Sequence, residues 1–374
     1  MRNKVSLLVA MFLVQVVMAQ EIDQQALDKQ LHGYYPDEQA PGIAVRISQH
    51  GKLKYSFHQG LAHLEEHRKI DDNTHFRMAS VSKQITASAI YRLIETGKMK
   101  ISDPLDTYFD ELPDKLKTIT VQQLLNHSSG ILDYESLLPE QLHKQLTDLD
   151  VLQYIKQKNT VYFPAGSAFR YSNTGYCLLA LVVEKVSGKP FSSFVQQELF
   201  LPADVTDGLV YFPYSQIQQR AYGYHPVQNF YVYADQSLTS ATQGDGGVYF
   251  SPINYHTWMN NRLTTKFHNA DIMEFIQANN HPVKDNIAYS MGWFYTIANN
   301  QPILFHSGES TGFHNIVYVN IEKDLIISFF GNRDDTAIAK AFEAVLKATG
   351  EKNPISDTKD RPLFDWLNQV YANE

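Results

Sequence analysis

Apolar residues recur at helical spacing over residues 22–35, IDQQALDKQLHGYY, and the segment that follows, GIAVRISQHGKLKYSFHQG, alternates apolar and polar positions in two runs around His50-Gly51. The first pattern predicts a helix and the second a strand hairpin, because side chains return to one face every 3.6 residues in a helix and every second residue in a strand. Over residues 81–96, Val81, Ile85, Ala89 and Leu93 keep helical register with Ile90 and Ile94, and Gly97 stands where a helix would stop. Ser80 therefore falls at a helix N-terminus.

From 101 to about 240 the pattern breaks into short helices and loops: TVQQLLNHSSG, DLDVLQYIKQK and TGYCLLALVVEKVSG, the last closed by Gly188 with Pro190 beyond it. Strand character returns in YSMGWFYTIA, QPILFHSG, FHNIVYVNIE and LIISFFGN, each bounded by turn residues, ahead of a closing helix DTAIAKAFEAVLKATG. The two strand-rich ends must share one sheet. The fold class expected is α+β: an antiparallel sheet built from about 40–75 and 285–350, flanked by N- and C-terminal helices, with an all-helical insertion at about 81–240. The tail from Asn353 onward, with Trp366 and Leu367 in a short helix, is expected to pack on the domain surface.

Composition adds a compartment. Arg2 and Lys4 precede the apolar run VSLLVAMFLVQVVM, and Val17-Met18-Ala19 offers a cleavage site, the arrangement of a secretory signal peptide over residues 1–19. The run is shorter than the roughly 20 apolar residues a spanning helix needs. The mature domain, 20–374, is thus expected in the periplasm or secreted, without a stable membrane anchor. Loss of the leader takes the formal net charge from −8 to −10, and no basic cluster remains, so nucleic acid is not an expected partner. Cys177 is the single cysteine and lies in the apolar stretch GYCLLALVV, which predicts a buried, inert thiol.

Ser80-Val81-Ser82-Lys83 sets a hydroxyl and an amine three positions apart, on one face of the predicted helix. A serine alcohol becomes a nucleophile when a neighbouring base takes its proton, and a lysine serves as that base once burial or nearby positive charge lowers its pKa. The pattern alone recurs by chance, as Ser356-Asp357-Thr358-Lys359 in the polar tail shows. Ser80 differs in its company. Downstream stand Tyr171-Ser172-Asn173 and then His306-Ser307-Gly308, and the three elements occur once in that order, although His58-Gln59-Gly60 and Tyr318-Val319-Asn320 match singly.

With these residues the chain resembles the class C β-lactamases and the related D-alanyl-D-alanine carboxypeptidases, D-aminopeptidases and esterases, the penicillin-binding-protein-like serine hydrolases. Six segments carry the likeness in the family's order: FRMASVSKQITA, LLNHSSGILDY, FPAGSAFRYSNTGYCLLALVVEKVSGKPF, GDGGVYFSP, YSMGW and HSGESTGF. The resemblance implies an acyl-enzyme formed on Ser80, with Lys83 as its hydrogen-bonded partner and Tyr171 relaying protons to the leaving group. It implies that Asn173 holds a substrate amide, that Gly308 leaves the strand bare for substrate, and that the backbone N–H groups of Ser80 and Glu309 form the oxyanion hole. His306 stands where β-lactamases of this class usually carry a lysine. A histidine near pKa 6.5 is mostly neutral at pH 7, so binding of a substrate carboxylate would be weaker or pH-dependent.

The resulting expectation is an exported serine hydrolase of D-residue peptides, small amides or esters, with a true β-lactamase and a non-turnover penicillin-binding receptor as alternatives. No cofactor is implied, since acyl transfer needs only nucleophile, base and oxyanion donors. One rival motif is His63-Leu64-Glu65-Glu66-His67, a zinc-peptidase pattern that requires a helix where the flanking residues predict a solvated loop. The aromatic stretch 211–233 reads equally as a cleft lining or a surface hairpin.

Overall fold

The computed structural model describes residues 21–138, 141–228, 230–263, 269–298, 301–355 and 361–372. The predicted leader, 1–19, and the second Ser-x-x-Lys match, Ser356–Lys359, lie outside them. No helix among the described residues is long and apolar enough to cross a membrane.

The alternating segments form one eight-stranded antiparallel sheet. Its strands are β1 (Ile43–Gln49), β2 (Lys52–Gln59), β3 (His281–Lys284), β4 (Ile287–Ser290), β5 (Trp293–Ala298), β6 (Gln301–Ser310), β7 (Phe313–Asn320) and β8 (Leu325–Gly331). In space they run β3-β4-β5-β6-β7-β8-β1-β2, so the N-terminal hairpin joins the C-terminal meander through β1 and β8, with Ile43 opposite Gly331 and Gln49 opposite Leu325. The central strands are apolar on both faces: every residue of β8 is buried, and so are seven of the eight in β7. A sheet buried on both sides needs a layer on each side.

Helices α1 (Gln24–Tyr34), α5 (Ala337–Ala348) and α6 (Leu363–Tyr371) supply one of these layers; α2 (Lys83–Glu95) and α4 (Pro252–Leu263) belong to the other, with α3 (Asn173–Ser187) packed against α2. Among the described residues, 81–240 also contains strands: Leu209–Val210 pairs with Val248–Phe250, and Tyr224–Val227 pairs with Phe230–Tyr233. The second pair lies at the end of the aromatic stretch 211–233, with Tyr224 accepting the Leu64 N–H and Tyr231 accepting from Arg333. The His63–His67 segment is a tight turn between the short strands Leu61–His63 and Arg68–Lys69, with φ of 50° at His67, so its histidines do not share a helical face.

The tail does more than cover a surface. Trp366 and Leu367 of α6 are fully buried; the Trp366 ring meets Phe294 edge-on at 5.6 Å and its Nε1 donates to Asp285 at 2.9 Å. The sheet thereby gains a lid over β5 and β6, next to the site described below. Replacing Trp366 by alanine should destabilise the domain by about 3–5 kcal/mol, read as a lowered midpoint in denaturant unfolding; an unchanged midpoint would show that α6 is not part of the cooperative core.

Candidate active site

Three segments are brought against the N-terminus of α2. Residues 79–82 form a single 3-10 turn leading into the helix, and Ala79 enters it with φ of 48°, a conformation uncommon for a residue with a side chain. The turn is held by residues 244–248: Met78 N–H donates to Val248 at 2.9 Å, Val248 N–H to Ser82 Oγ at 3.0 Å, and Thr86 Oγ1 to Gly244 at 2.6 Å. From the sheet side, the β4–β5 turn at Gly292 presses on the helix start. Its φ is +77°, and a Cβ there would lie 2.5 Å from Gln84 N. These contacts account for the segments GDGGVYFSP and YSMGW, whose roles the local pattern could not show.

Ser80 is half-buried at the mouth of this arrangement and Lys83 is fully buried behind it. Lys83 Nζ lies 2.9 Å from Ser80 Oγ, 2.8 Å from Asn173 Oδ1 and 2.9 Å from the Asp245 carbonyl, so its three donor positions all have acceptors. Burial pushes the Lys83 pKa down, and the negative charge of Asp245 resists that shift. Asp245 in turn accepts from Tyr134 at 3.2 Å. Behind it, Asp148 is raised to about 7, first by burial and then by Asp245, and its oxygens take the Gln243 and Gly244 N–H groups. Cys177 is fully buried beside this acid pair, and burial followed by the two carboxylates holds its thiol protonated. Sequence reasoning assigned no role to Asp245, although it lies within a segment that carried the resemblance.

Tyr171 comes from the loop before α3. Its ring centroid is 5.0 Å from Lys83 Nζ and 4.2 Å from the His127 ring. The Tyr171 hydroxyl is buried without a hydrogen bond of ordinary geometry, yet it is close enough to Ser80 for that hydroxyl to favour the phenolate, against the stronger opposing effects of burial and of Tyr371. His127 accepts the Ser172 N–H on Nδ1 at 3.3 Å, which leaves the proton of the neutral ring on Nε2. It is a packing partner that fixes the Tyr171 loop, in line with its reading as a structural histidine.

The strand β6 supplies the remaining candidates. Its pairing with β5 ends at Phe305 opposite Phe294, whereas its pairing with β7 continues to Ser310 opposite Phe313. Residues 306–310 thus present one open edge. Ser307 N–H points to that edge, since it donates to the Tyr371 hydroxyl at 3.3 Å, and the two-residue repeat of a strand sends Glu309 N–H the same way.

The structure gives three of the expected site residues a definite environment. His306 is fully buried, with Nε2 3.1 Å from the Tyr289 hydroxyl, and burial followed by the Lys83 charge lowers its pKa to about 3. It is neutral throughout the physiological range rather than titrating there. Gly308 is required by its neighbour: a Cβ would lie 2.1 Å from the Met78 carbonyl, on the face turned toward the 3-10 turn. Asn173 is already engaged, its oxygen accepting from Lys83 and its Nδ2 lying 3.5 Å from Glu135. The Glu309 carboxyl is raised to about 7, first by burial and then by Asp365, with the Asn368 amide against it.

Because the folded pKa of His306 is below its unfolded value of about 6.5, the stability gained by keeping it neutral is complete above that pH and drains away as pH falls toward about 3. The His306 ring should therefore show no titration between pH 8 and pH 5 in nitrogen-resolved NMR. A midpoint near 6.5 would contradict the buried placement.

Comparison with known proteins agrees with this geometry. The family model described as Beta-lactamase matches residues 18–349. A penicillin-binding protein of Bacillus subtilis (strain 168) is 28% identical over 337 residues, covering 81% of this chain and 71% of its own length. Other curated relatives extend further, the chain spanning 49% of one and 65% of another. Among solved structures, the octameric penicillin-binding protein homologue from Pyrococcus abyssi superposes with a TM-score of 0.78 at 20% identity, covering 92% of this chain and 80% of that one. The D-amino acid amidase from Ochrobactrum anthropi SV3 gives 0.73 at 20% identity, over 87% of this chain and 99% of that one. The fold they share and the extent of the family match lead to one assignment: the chain belongs to the Beta-lactamase family of serine hydrolases.

Proposed function

We propose that the protein hydrolyses amide or ester bonds of small substrates, peptides with D-residues among them, through an acyl-enzyme on Ser80. The observation that carries this reading is the 2.9 Å contact between Ser80 Oγ and a fully buried Lys83 whose pKa is depressed by that burial. An amine held this way has a larger neutral fraction near pH 7 than one in water, and a neutral amine can take the serine proton.

In the first half-reaction Ser80 Oγ bonds to the acyl carbon, and the carbonyl oxygen gathers negative charge at the N–H groups of Ser80 and Glu309. Each such donor is commonly worth about 2.7–4 kcal/mol in the transition state. As the tetrahedral adduct collapses, the bond to the leaving nitrogen or oxygen breaks, and the proton taken from Ser80 reaches that atom through Lys83 and Tyr171. In the second half-reaction a water replaces the leaving group: its proton passes to Tyr171 and Lys83, its oxygen bonds to the acyl carbon, and Ser80 regains its proton as the acid departs. Asn173 orients Lys83 in this scheme, with its Nδ2 facing the cleft mouth beside Glu135.

The neutral His306 favours amides and esters over β-lactams, because near pH 7 it offers no charge to a ring carboxylate. The apolar leader at 1–19 supports export to the periplasm or medium as part of the same reading.

Intact-mass spectrometry after treatment with a fluorophosphonate should show a single adduct that Ser80→Ala abolishes; an adduct surviving in that variant would displace Ser80 as nucleophile. Tyr171→Phe should keep the adduct but lower kcat by about 10²–10⁴-fold, the usual contribution of a positioned acid–base group. Near-normal turnover would remove Tyr171 from the proton path.

A further inference from the structure

The C-terminal helix ends inside the site. Tyr371, the last residue of α6, accepts a hydrogen bond from Ser307 Oγ at 2.8 Å and from Ser307 N–H at 3.3 Å, and its hydroxyl lies 3.3 Å from His306 Nδ1. Its ring is 4.6 Å from that of Tyr171 and 6.0 Å from that of Phe294. A tyrosine from the chain terminus thus occupies the open edge of β6 next to the proposed proton donor.

The position of that contact relative to the reaction is fixed by the strand. If the substrate carbonyl is held at Glu309 N–H and the leaving group faces Tyr171, Ser307 is the next donor along the same edge. It is two residues, or roughly 7 Å, from Glu309, about the span of one further substrate unit. An extended leaving group ending in a carboxylate would need the Ser307 N–H and hydroxyl, and Tyr371 already holds both. The nearby positive groups do not replace them: His306 is neutral, and Lys83 directs its hydrogens to Ser80, Asn173 and Asp245.

We propose that Tyr371 closes the leaving-group side of the site and restricts the enzyme to substrates that expel a small group without a free carboxylate, such as ammonia, a short amine or a short alcohol. This rests on the reading of Ser80 as the acylated residue, and it narrows the peptide substrates of that reading to those, such as peptide amides, whose leaving group carries no free carboxylate. Tyr371 is a specificity residue here, acting by occupancy of the β6 edge and taking no part in the proton transfers.

The test compares two esters of one acyl group, the methyl ester and the lactate ester of N-acetylalanine, in D and L forms, with wild-type protein, Tyr371→Phe and Tyr371→Ala. Intrinsic ester reactivity cancels when the ratio of kcat/KM for methyl over lactate is compared between variants. Phenylalanine keeps the ring and frees both Ser307 donors; alanine also opens the space. The ratio should fall by at least about tenfold in Tyr371→Phe, the low end of what hydrogen bonds to a charged group contribute, and further in Tyr371→Ala. An unchanged ratio in both variants overturns the proposal. A fall in the alanine variant alone overturns its hydrogen-bonding part and leaves the ring as the gate. Should Tyr371→Ala fail to fold, the phenylalanine variant decides alone. A fluorophosphonate adduct on Ser80 in every variant separates these outcomes from failure of the acyl-enzyme reading, which would show as no adduct in wild-type protein.

Discussion

A lysine side chain taken entirely out of water beside a serine hydroxyl is the constraint around which this structure is arranged. Removing an ammonium from solvent costs several kcal/mol unless acceptors surround it, and each acceptor of Lys83 comes from a different part of the chain: Ser80 from the turn before α2, Asn173 from the start of α3, and the Asp245 carbonyl from the loop that leads into Val248–Phe250. Displacing any of the three leaves a buried donor unmatched. The site and the stability of the helical region are therefore one problem, solved by the same contacts.

The electrostatics around that lysine are balanced between opposing effects. Burial lowers its pKa, while Asp245 and, from further out, Asp133 and Glu135 raise it. The same burial holds the Asp148 carboxyl near neutrality in its titration, at about 7, so the acid pair behind Lys83 carries less negative charge than two ordinary carboxylates would. His306 and His127 stay neutral for the complementary reason, being buried within reach of the lysine charge. Charge at the centre of the site is thereby concentrated on a small number of groups whose protonation the chemistry can use.

The sheet contributes through what it leaves unpaired. Strand β6 is long enough to outrun β5, and the residues past Phe305 offer backbone N–H groups to the cleft instead of to a neighbouring strand. Glycine at 308 then lets the Met78 backbone, and with it the Ser80 turn, approach the strand closely on its other face. A side chain at that position would push the Ser80 turn away from the open edge of β6, which is a direct packing reason for glycine.

Much of this was legible in the chain itself. The helical period after Ser80 placed the hydroxyl and the amine on one face at the start of α2, and the alternation in the terminal segments placed two strand-rich halves in one antiparallel sheet, because local periodicity records which face of an element is buried. It does not record which distant residue meets that face. Asn173 reaches Lys83 across 90 residues of sequence, and Tyr371 reaches Ser307 across 64. The tail read as surface packing also delivers a tyrosine to the cleft, His306 is buried between Tyr289 and Tyr371, and Gly308 faces the helix turn. Each of these was decided by how α6, β4 and the 3-10 turn pack against β6, an arrangement set by the summed burial of many side chains and by no short motif.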